Sequence, residues 1–369
     1  MENKKKIAVI GLKGLPAFGG AARAGESIIN ILKYKYAFTV YAVSSHTNNS
    51  GYFNGYNQIV FKKILNKKWN TLFYYIKSTL HCLFIGNYDL VHIYHTSASF
   101  ITPFLKFKYK VIISARGYTS PELLLESEKW NKIDRFFFLL IEKILTLFPA
   151  DIIVAVSKVV KKYYDPRTCK KVFYIPNGVF VYENESFQNI VYNEYILFSA
   201  ARIIPLKGCH IFLKALKKMN YRDNVIIVGD LNQTSKYEKQ MKELAISLNV
   251  KFIELIRDKM ILLSYVKNAK LFIFPSFHEG MSNMLLEAAS VKTPIICSDI
   301  QENRYVFTNE EVLFVKVKDV NDLSAKITWA LSNPKLMQQK AENAFKKIKQ
   351  EHSWEKIAKE YDKLYQKLL

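Results

Sequence analysis

Residues 275–290 read Pro-Ser-Phe-His-Glu-Gly-Met-Ser-Asn-Met-Leu-Leu-Glu-Ala-Ala-Ser, and two carboxylates, Glu279 and Glu287, stand eight positions apart in this run. An apolar segment ends at Pro275 as a strand would, and a short loop carries Glu279. Ser282 or Asn283 then stands where the N-cap of a helix through Glu287 belongs. The amides of Gly280, Met281 and Ser282 would lack intrahelical partners and favour an anion such as phosphate. A rise of about 1.5–3.3 Å per residue puts the two carboxylates roughly 12 Å or more apart, beyond the ~5–9.5 Å of a pair that cleaves one glycosidic bond. They are expected to serve different points of one extended ligand.

Upstream, Ser199-Ala-Ala-Arg202-Ile-Ile-Pro-Leu-Lys207-Gly208 follows another apolar run. Ligands of open α/β sheets bind outside the carboxyl ends of strands, so Arg202 and Lys207 are placed to clamp a diphosphate. Near the start, Gly11-Leu-Lys-Gly14-Leu-Pro16-Ala-Phe-Gly19-Gly20 precedes a helix expected from about Ala21. Its glycines bring backbone N–H groups close to an anion or else make a tight structural turn. The spacing is not that of a dinucleotide fingerprint, and Tyr41-Ala-Val-Ser-Ser45 stands where a ribose-binding acid would be.

This ordered set, with Ile175-Pro-Asn177-Gly-Val179 added, resembles the family 4 glycosyltransferases over nearly the whole chain. The resemblance implies the GT-B fold: two Rossmann-like α/β domains whose parallel sheets face an interdomain cleft. It implies a transferase that uses a nucleotide-diphosphate sugar with retention of anomeric configuration, needing no cofactor and no metal. Arg202 and Lys207 would hold the donor diphosphate, and Glu287 the ribose hydroxyls. Glu279, with Gly280, Met281, Ser282 and Asn283 after it, would meet sugar and phosphate, and Gly19 and Gly20 would also face the donor. Glu279, Arg202 and Lys207 are the residues expected to carry catalysis. The leaving diphosphate would take the acceptor proton on the face it departs from, while fixed cations and amides stabilise its growing charge.

The chain departs from the family after Val111–Ser114, where many relatives carry a histidine and this sequence has Arg116. A guanidinium stays protonated and cannot be a general base, so Arg116 is expected to bind phosphate or sugar oxygens. His95 and Asn177 are further acceptor-site or cleft candidates; for His95 a structural role competes. His278 is expected to face backbone, with contact to sugar as the alternative.

Apolar runs rich in Val, Ile and Phe alternate with amphipathic stretches, the pattern of parallel sheets covered on both faces. Strands are predicted near Lys6–Gly11, Phe38–Ser44, Gln58–Phe61, Asp89–Tyr94, Val111–Ser114, Asp151–Val156 and Val172–Ile175. A second series is predicted near Tyr195–Ala200, Asn224–Val228, Lys251–Glu254, Leu271–Pro275, Pro294–Cys297 and Val312–Val315. At 369 residues the chain is the size of two domains. The expected division is 1–182 for an acceptor-binding domain and 190–350 for a nucleotide-sugar domain, with a terminal helix, 351–369, packing back towards the first.

The net charge of +22 admits nucleic acid, anionic lipid or phosphorylated small molecules as partners. Between Ser27 and Pro121 eleven bases face one acid, Asp89. Phe61–Leu80 interleaves lysines with bulky apolar residues, which reads as a helix against an anionic membrane or, alternatively, one covering the first sheet. It matches no nucleic-acid module, so no nucleic-acid partner is expected. The four cysteines lie far apart, which speaks against structural zinc and disulfides. No stretch reaches the ~18–20 apolar residues of a membrane span. The expected setting is cytoplasmic, peripheral at the inner face of the cell membrane. There the enzyme would act on a lipid-linked or growing glycan in bacterial surface polysaccharide synthesis, as capsule, O-antigen or lipopolysaccharide. Alternatives are a same-fold nucleotide-sugar epimerase or hydrolase and a non-catalytic basic binding protein.

Overall fold

A computed structural model describes residues 4–17, 20–64, 67–117, 136, 139–141, 143–144, 150–169, 171–183, 185, 187–188, 194–232 and 235–369. By its internal contacts the chain forms two units, residues 1–177 with 354–369, and residues 178–353.

Unit 1 is built on a sheet of eight strands: β1 (Lys6–Lys13), β2 (Ala37–Val43), β3 (Gly51–Phe53), β4 (Tyr56–Phe61), β5 (Leu90–Ile93), β6 (Lys110–Ala115), β7 (Ile152–Ala155) and β8 (Val172–Tyr174). They lie in the order β3-β4-β2-β1-β5-β6-β7-β8, and only the β3–β4 pair is antiparallel. The short β3 was not predicted, because Gly51-Tyr-Phe53 offers too few residues for any alternation to show. Ile7, Ala8, Val9 and Ile10 are wholly buried, as expected of a strand covered on both faces. Since β1 lies between β2 and β5, the chain leaves its two sides in opposite directions. Its carboxyl end is therefore the switch point at which such sheets open a crevice.

The last helix, Trp354–Leu368, closes this unit. Trp354, Ile357, Ala358, Tyr361, Leu364 and Tyr365 recur at helical spacing and are all buried, in the same core as Ile28, Ile29 and Phe38. It also meets a polar group inside that core. His92 of β5 is fully buried, with Nδ1 2.7 Å from the Tyr365 hydroxyl and Nε2 2.8 Å from Ser114 Oγ of β6. Hydroxyls donate or accept, so both ring nitrogens are satisfied in the neutral imidazole.

Unit 2 has six parallel strands: β9 (Tyr195–Arg202), β10 (Asn224–Asp230), β11 (Val250–Ile253), β12 (Leu271–Phe274), β13 (Ile295–Ser298) and β14 (Leu313–Val315). Their order is β11-β10-β9-β12-β13-β14, which makes the carboxyl end of β9 the switch point. In its core Phe198 of β9 stacks on Phe274 of the neighbouring β12, and Phe274 on Phe272 of its own strand.

The basic stretch forms α2, Lys67–Phe84. Its inner face carries Tyr74, Tyr75, Ser78, Thr79 and Cys82, all buried, so it does cover the sheet, while Ile76, Leu80 and Phe84 remain exposed on the outside. No helix among the described residues is long and apolar enough to cross a membrane.

Burial, and then the charge of Arg116, push the pKa of His92 well below its ordinary 6.5. Below that pH the unfolded chain binds a proton that the folded chain refuses, so stability falls as pH drops through 6.5. Chemical denaturation at pH 7, 6 and 5 should show this loss. His92→Gln should lower stability at pH 7 and remove up to about 1.4 kcal/mol per pH unit of the slope.

Candidate active site

In unit 2 the turns after β9 and β12 are laced together, because these strands are neighbours in the sheet. After Arg202 the chain makes a short 3-10 turn, Pro205–Lys207, and Gly208 starts the helix Cys209–Lys218. Gly208 has φ 73°, and a Cβ there would fall on the Pro275 carbonyl at the end of β12. The Phe277 amide donates to Leu206 O at 2.8 Å. Ser276 Oγ lies 2.6 Å from Glu279 Oε1 and 3.2 Å from Leu206 O. Lys207 Nζ completes the lacing with a 2.5 Å ion pair to the same Glu279 oxygen. Thus Lys207 and Glu279, 72 residues apart, form one preorganised charge pair in which Glu279 is nearly buried. Arg202, exposed at the end of β9, has no ion-pair partner among the described residues.

Ser282 caps the helix Asn283–Ser290, its Oγ accepting from the Leu285 amide. Asn283 is therefore the first helical residue, and Glu287 lies one turn in. Glu287 is buried and ion-paired through Oε1 to Lys259, while its Oε2 is buried with no hydrogen-bond partner. Lys259 opens the helix Lys259–Lys267, whose N-cap is Asp258, accepting from Met260 N at 2.8 Å and Ile261 N at 3.1 Å. Tyr182 stands in the field of this carboxylate: burial, then the charges of Glu287 and Glu185, raise its pKa. His278 does not face backbone as expected; its Nδ1 lies 3.3 Å from the Glu302 carboxylate. Among the described residues the turns and helices that follow β9 and β12 carry a guanidinium with no ion-pair partner, a carboxylate–ammonium pair and a buried carboxylate oxygen with no hydrogen-bond partner, a set suited to an extended ligand with a diphosphate and hydroxyls.

In unit 1 the glycine loop spends three of its amides within the unit. Gly11 N donates to Tyr74 Oη at 2.8 Å, Leu15 N to Gln58 Oε1 at 2.8 Å and Ala17 N to Glu26 Oε2 at 3.3 Å, so these amides are taken by side chains. Gly20 begins α1 (Gly20–Leu32), and Gly19 lies outside the described residues. Arg116, just past β6, donates from Nη1 to Asn177 Oδ1 at 2.5 Å and from Nη2 to Tyr361 Oη at 3.4 Å. His95 caps a 3-10 turn, Thr96–Ile101, its Nδ1 accepting from Ser97 N at 3.1 Å. The structure brings Arg116 and Asn177 together at one end of the unit 1 sheet, and His95 lies in the field of Arg116. Arg202, Lys207, Glu279 and the Ser282 cap belong to the other sheet.

Sequence reasoning missed Ser276 and Lys259. Ser276 stood inside the quoted motif, and a hydroxyl three residues before a buried carboxylate was the available signal. Lys259 had none, since nothing local pairs it with a residue 28 positions later.

Comparison with known proteins follows the same lines. Residues 182–347 match the family described as "Glycosyl transferases group 1". The capsular polysaccharide biosynthesis glycosyltransferase CapM of Staphylococcus aureus is 26% identical over 274 residues, 69% of this chain and 70% of the relative. The N,N'-diacetylbacillosaminyl-diphospho-undecaprenol alpha-1,3-N-acetylgalactosaminyltransferase of Campylobacter jejuni is 26% identical over 47% of this chain and 45% of its own. Sucrose-phosphate synthase from Thermosynechococcus elongatus superposes with a TM-score of 0.82 at 19% identity, covering 99% of each chain. Anabaena HepE in complex with UDP-glucose gives 0.79 at 16% identity, covering 98% of this chain and 99% of its own. The chain has the GT-B fold, resembles the group 1 glycosyltransferases, and is a glycosyltransferase.

The Gly208 geometry is directly testable. Gly208→Ala should cost unit 2 about 1–3 kcal/mol in denaturant unfolding, since it adds a left-handed side chain against a fixed carbonyl. Gly117→Ala, where a Cβ meets open space, should stay within about 0.5 kcal/mol.

Proposed function

We propose that this glycosyltransferase moves a sugar from a nucleoside diphosphate to a lipid-linked or growing glycan, with retention, in bacterial surface polysaccharide synthesis. The observation that carries the reading is the Lys207–Glu279 pair at the switch point of the unit 2 sheet, together with Arg202, which ends β9 and has no ion-pair partner among the described residues. Arg202 grips diphosphate oxygens through its fork, and Lys207 supplies a point charge held in place by Glu279. As the bond from the anomeric carbon to the phosphate oxygen breaks, its electron pair stays on the diphosphate, where both cations stabilise it. The acceptor oxygen bonds to the anomeric carbon, and its proton passes to the departing phosphate on the same face. Glu287 Oε2, buried and unsatisfied, accepts from a ribose hydroxyl. Fixed cations supply the charge stabilisation in this scheme, so no metal is called for.

The polysaccharide setting draws on the printed functions of the Staphylococcus and Campylobacter relatives. Peripheral contact with an anionic membrane is supported by the outer face of unit 1. There Phe84 is 79% and Phe107 88% exposed beside α2, whose composition is basic. In this reading the enzyme works at the cytoplasmic face, where nucleotide sugars are made.

Removing Lys207 strands a nearly buried carboxylate and risks unfolding, so the exposed Arg202 gives the cleaner test. Arg202→Gln and Glu279→Gln should each lower kcat/KM by about 100-fold or more with unchanged circular dichroism. Glu287→Gln should act chiefly by raising KM about tenfold, because a ribose contact is made equally in ground and transition states. EDTA should leave turnover unchanged. The donor is found by thermal shift against a panel of nucleotide sugars, the correct one at 100 times its Kd stabilising by about 2.7 kcal/mol. Full turnover by Glu279→Gln, or sugar released only to water, overturns the assignment.

A further inference from the structure

We infer that the cleft at the amino ends of β10, β9, β12 and β13 is a second ligand site of unit 2, one that takes a phosphorylated sugar. The phosphate lies on Lys267 and Lys292, and the sugar hydroxyls donate to Asp223. The inference is independent of the glycosyl-transfer reading, since Arg202 and the Glu279 loop follow β9 and β12 at the opposite, carboxyl ends.

The cleft encloses about 620 Å³, within the ~300–1,000 Å³ of small-molecule sites. Four of its residues stand directly before four neighbouring strands: Asp223 before β10, Glu194 before β9, Lys270 before β12 and Pro294 before β13. The registers Asn224↔Tyr195, Leu271↔Ile196 and Phe272↔Ile295 keep these strand starts nearly level. Charges are therefore sorted along one edge, with carboxylates on the β10 and β9 side and ammoniums on the β12 and β13 side. At about 4.8 Å per strand the row spans roughly 14 Å, which leaves the length of one phosphorylated monosaccharide once side chains reach inward. Leu271, Ala330 and Met337 line the cleft and are themselves buried, an apolar floor for the C–H face of a sugar ring.

Lysines at helix C-termini offset the macrodipole, and Lys267 ends one helix while Lys292 follows another, so both have that ordinary reason to be there. The backbone shows a further one. Lys292 has φ 58° and Glu194 φ 54°, left-handed conformations that cost a side-chain-bearing residue about 1–2 kcal/mol and that glycine adopts freely. The position after a helix is where glycine is most common, yet here it carries an ammonium that lines the cleft. Lys270 Nζ lies 2.9 Å from Glu194, and Lys292 Nζ 3.0 Å from Glu342. Lys267 stands in the field of Lys292: burial, then that charge, lower its pKa, while Glu342 opposes the shift. An oxyanion between the two ammoniums offsets their repulsion, and the oxygens of a phosphate monoester reach both.

Asp223 selects the rest of the ligand. An ionised carboxylate only accepts, so it favours hydroxyl donors and repels a second phosphate at that end of the row. The cleft thus discriminates against diphosphates, the class suited to the carboxyl end of the same sheet.

The test is calorimetric titration of the full chain with glucose 6-phosphate as the probe, beside inorganic phosphate and glucose. Glucose 6-phosphate should bind about tenfold more tightly than phosphate, and glucose should not bind. Arg202→Gln should leave this binding unchanged, which separates it from the donor site. Lys267→Met and Lys292→Gly should each weaken both phosphate and glucose 6-phosphate by about tenfold or more, and Lys267→Arg should retain them. Lys267 is exposed and Lys292→Gly relieves a left-handed backbone, so neither variant should unfold. Asp223→Ala should weaken glucose 6-phosphate alone. Binding that Lys267→Met leaves intact, or that Arg202→Gln abolishes, overturns the site. Equal affinity for phosphate and glucose 6-phosphate, unmoved by Asp223→Ala, overturns the sugar class, and binding of neither overturns both.

Discussion

The candidate site of unit 2 depends on β9 and β12 being hydrogen-bonded neighbours. That pairing sets the Pro205–Lys207 turn against the Pro275–Glu279 loop, where Gly208 leaves room for the Pro275 carbonyl and Phe277 bonds to Leu206. The lysine and the glutamate are then fixed by backbone and by Ser276 before any ligand arrives. Preorganised charge of this kind is what phosphate chemistry requires, since a flexible pair would reorganise as the diphosphate charge grows.

Unit 1 uses its polar groups differently. His92 is satisfied by two hydroxyls, one from the neighbouring strand and one from the last helix, so a segment more than 250 residues away completes the core. The same helix supplies Tyr361, which lies against both Ser114 and Arg116. The terminal helix therefore contributes packing and also steadies the one guanidinium at the end of β6. Lys13, His95 and Arg116 follow neighbouring strands at that end of the sheet, where the Glu26 carboxylate accepts from Ala17 N. The basic excess visible in the composition thus has a local component there, besides the lysines scattered over the outer surface.

Most of the fold was legible. The thirteen predicted strands all occur, because a strand covered on both faces must be an unbroken apolar run. The one missed, β3, is an edge hairpin arm with no such run. The unit 2 motif was legible because its residues lie at strand ends, in loops whose glycines, cap serine and charges are close in sequence. What eluded the sequence were partners from elsewhere. Lys259 against Glu287 and Glu302 against His278 are pairings across elements, and the glycine loop's amides were claimed by Tyr74, Gln58 and Glu26 from other parts of the chain.

By itself, then, the sequence determined the two α/β units, the positions of their strand ends and the residue types available there. Those properties follow from short-range pattern, which each segment carries alone. Only tertiary structure decided which charges are paired and which are left open: Lys207 bound to Glu279, Glu287 half-satisfied by Lys259, Arg202 without an ion-pair partner among the described residues, and Arg116 held by Asn177 and Tyr361. A charge's state depends on what lies within a few ångströms of it and how well water reaches it. Strand order sets both, and it brings together residues that chain distance keeps apart.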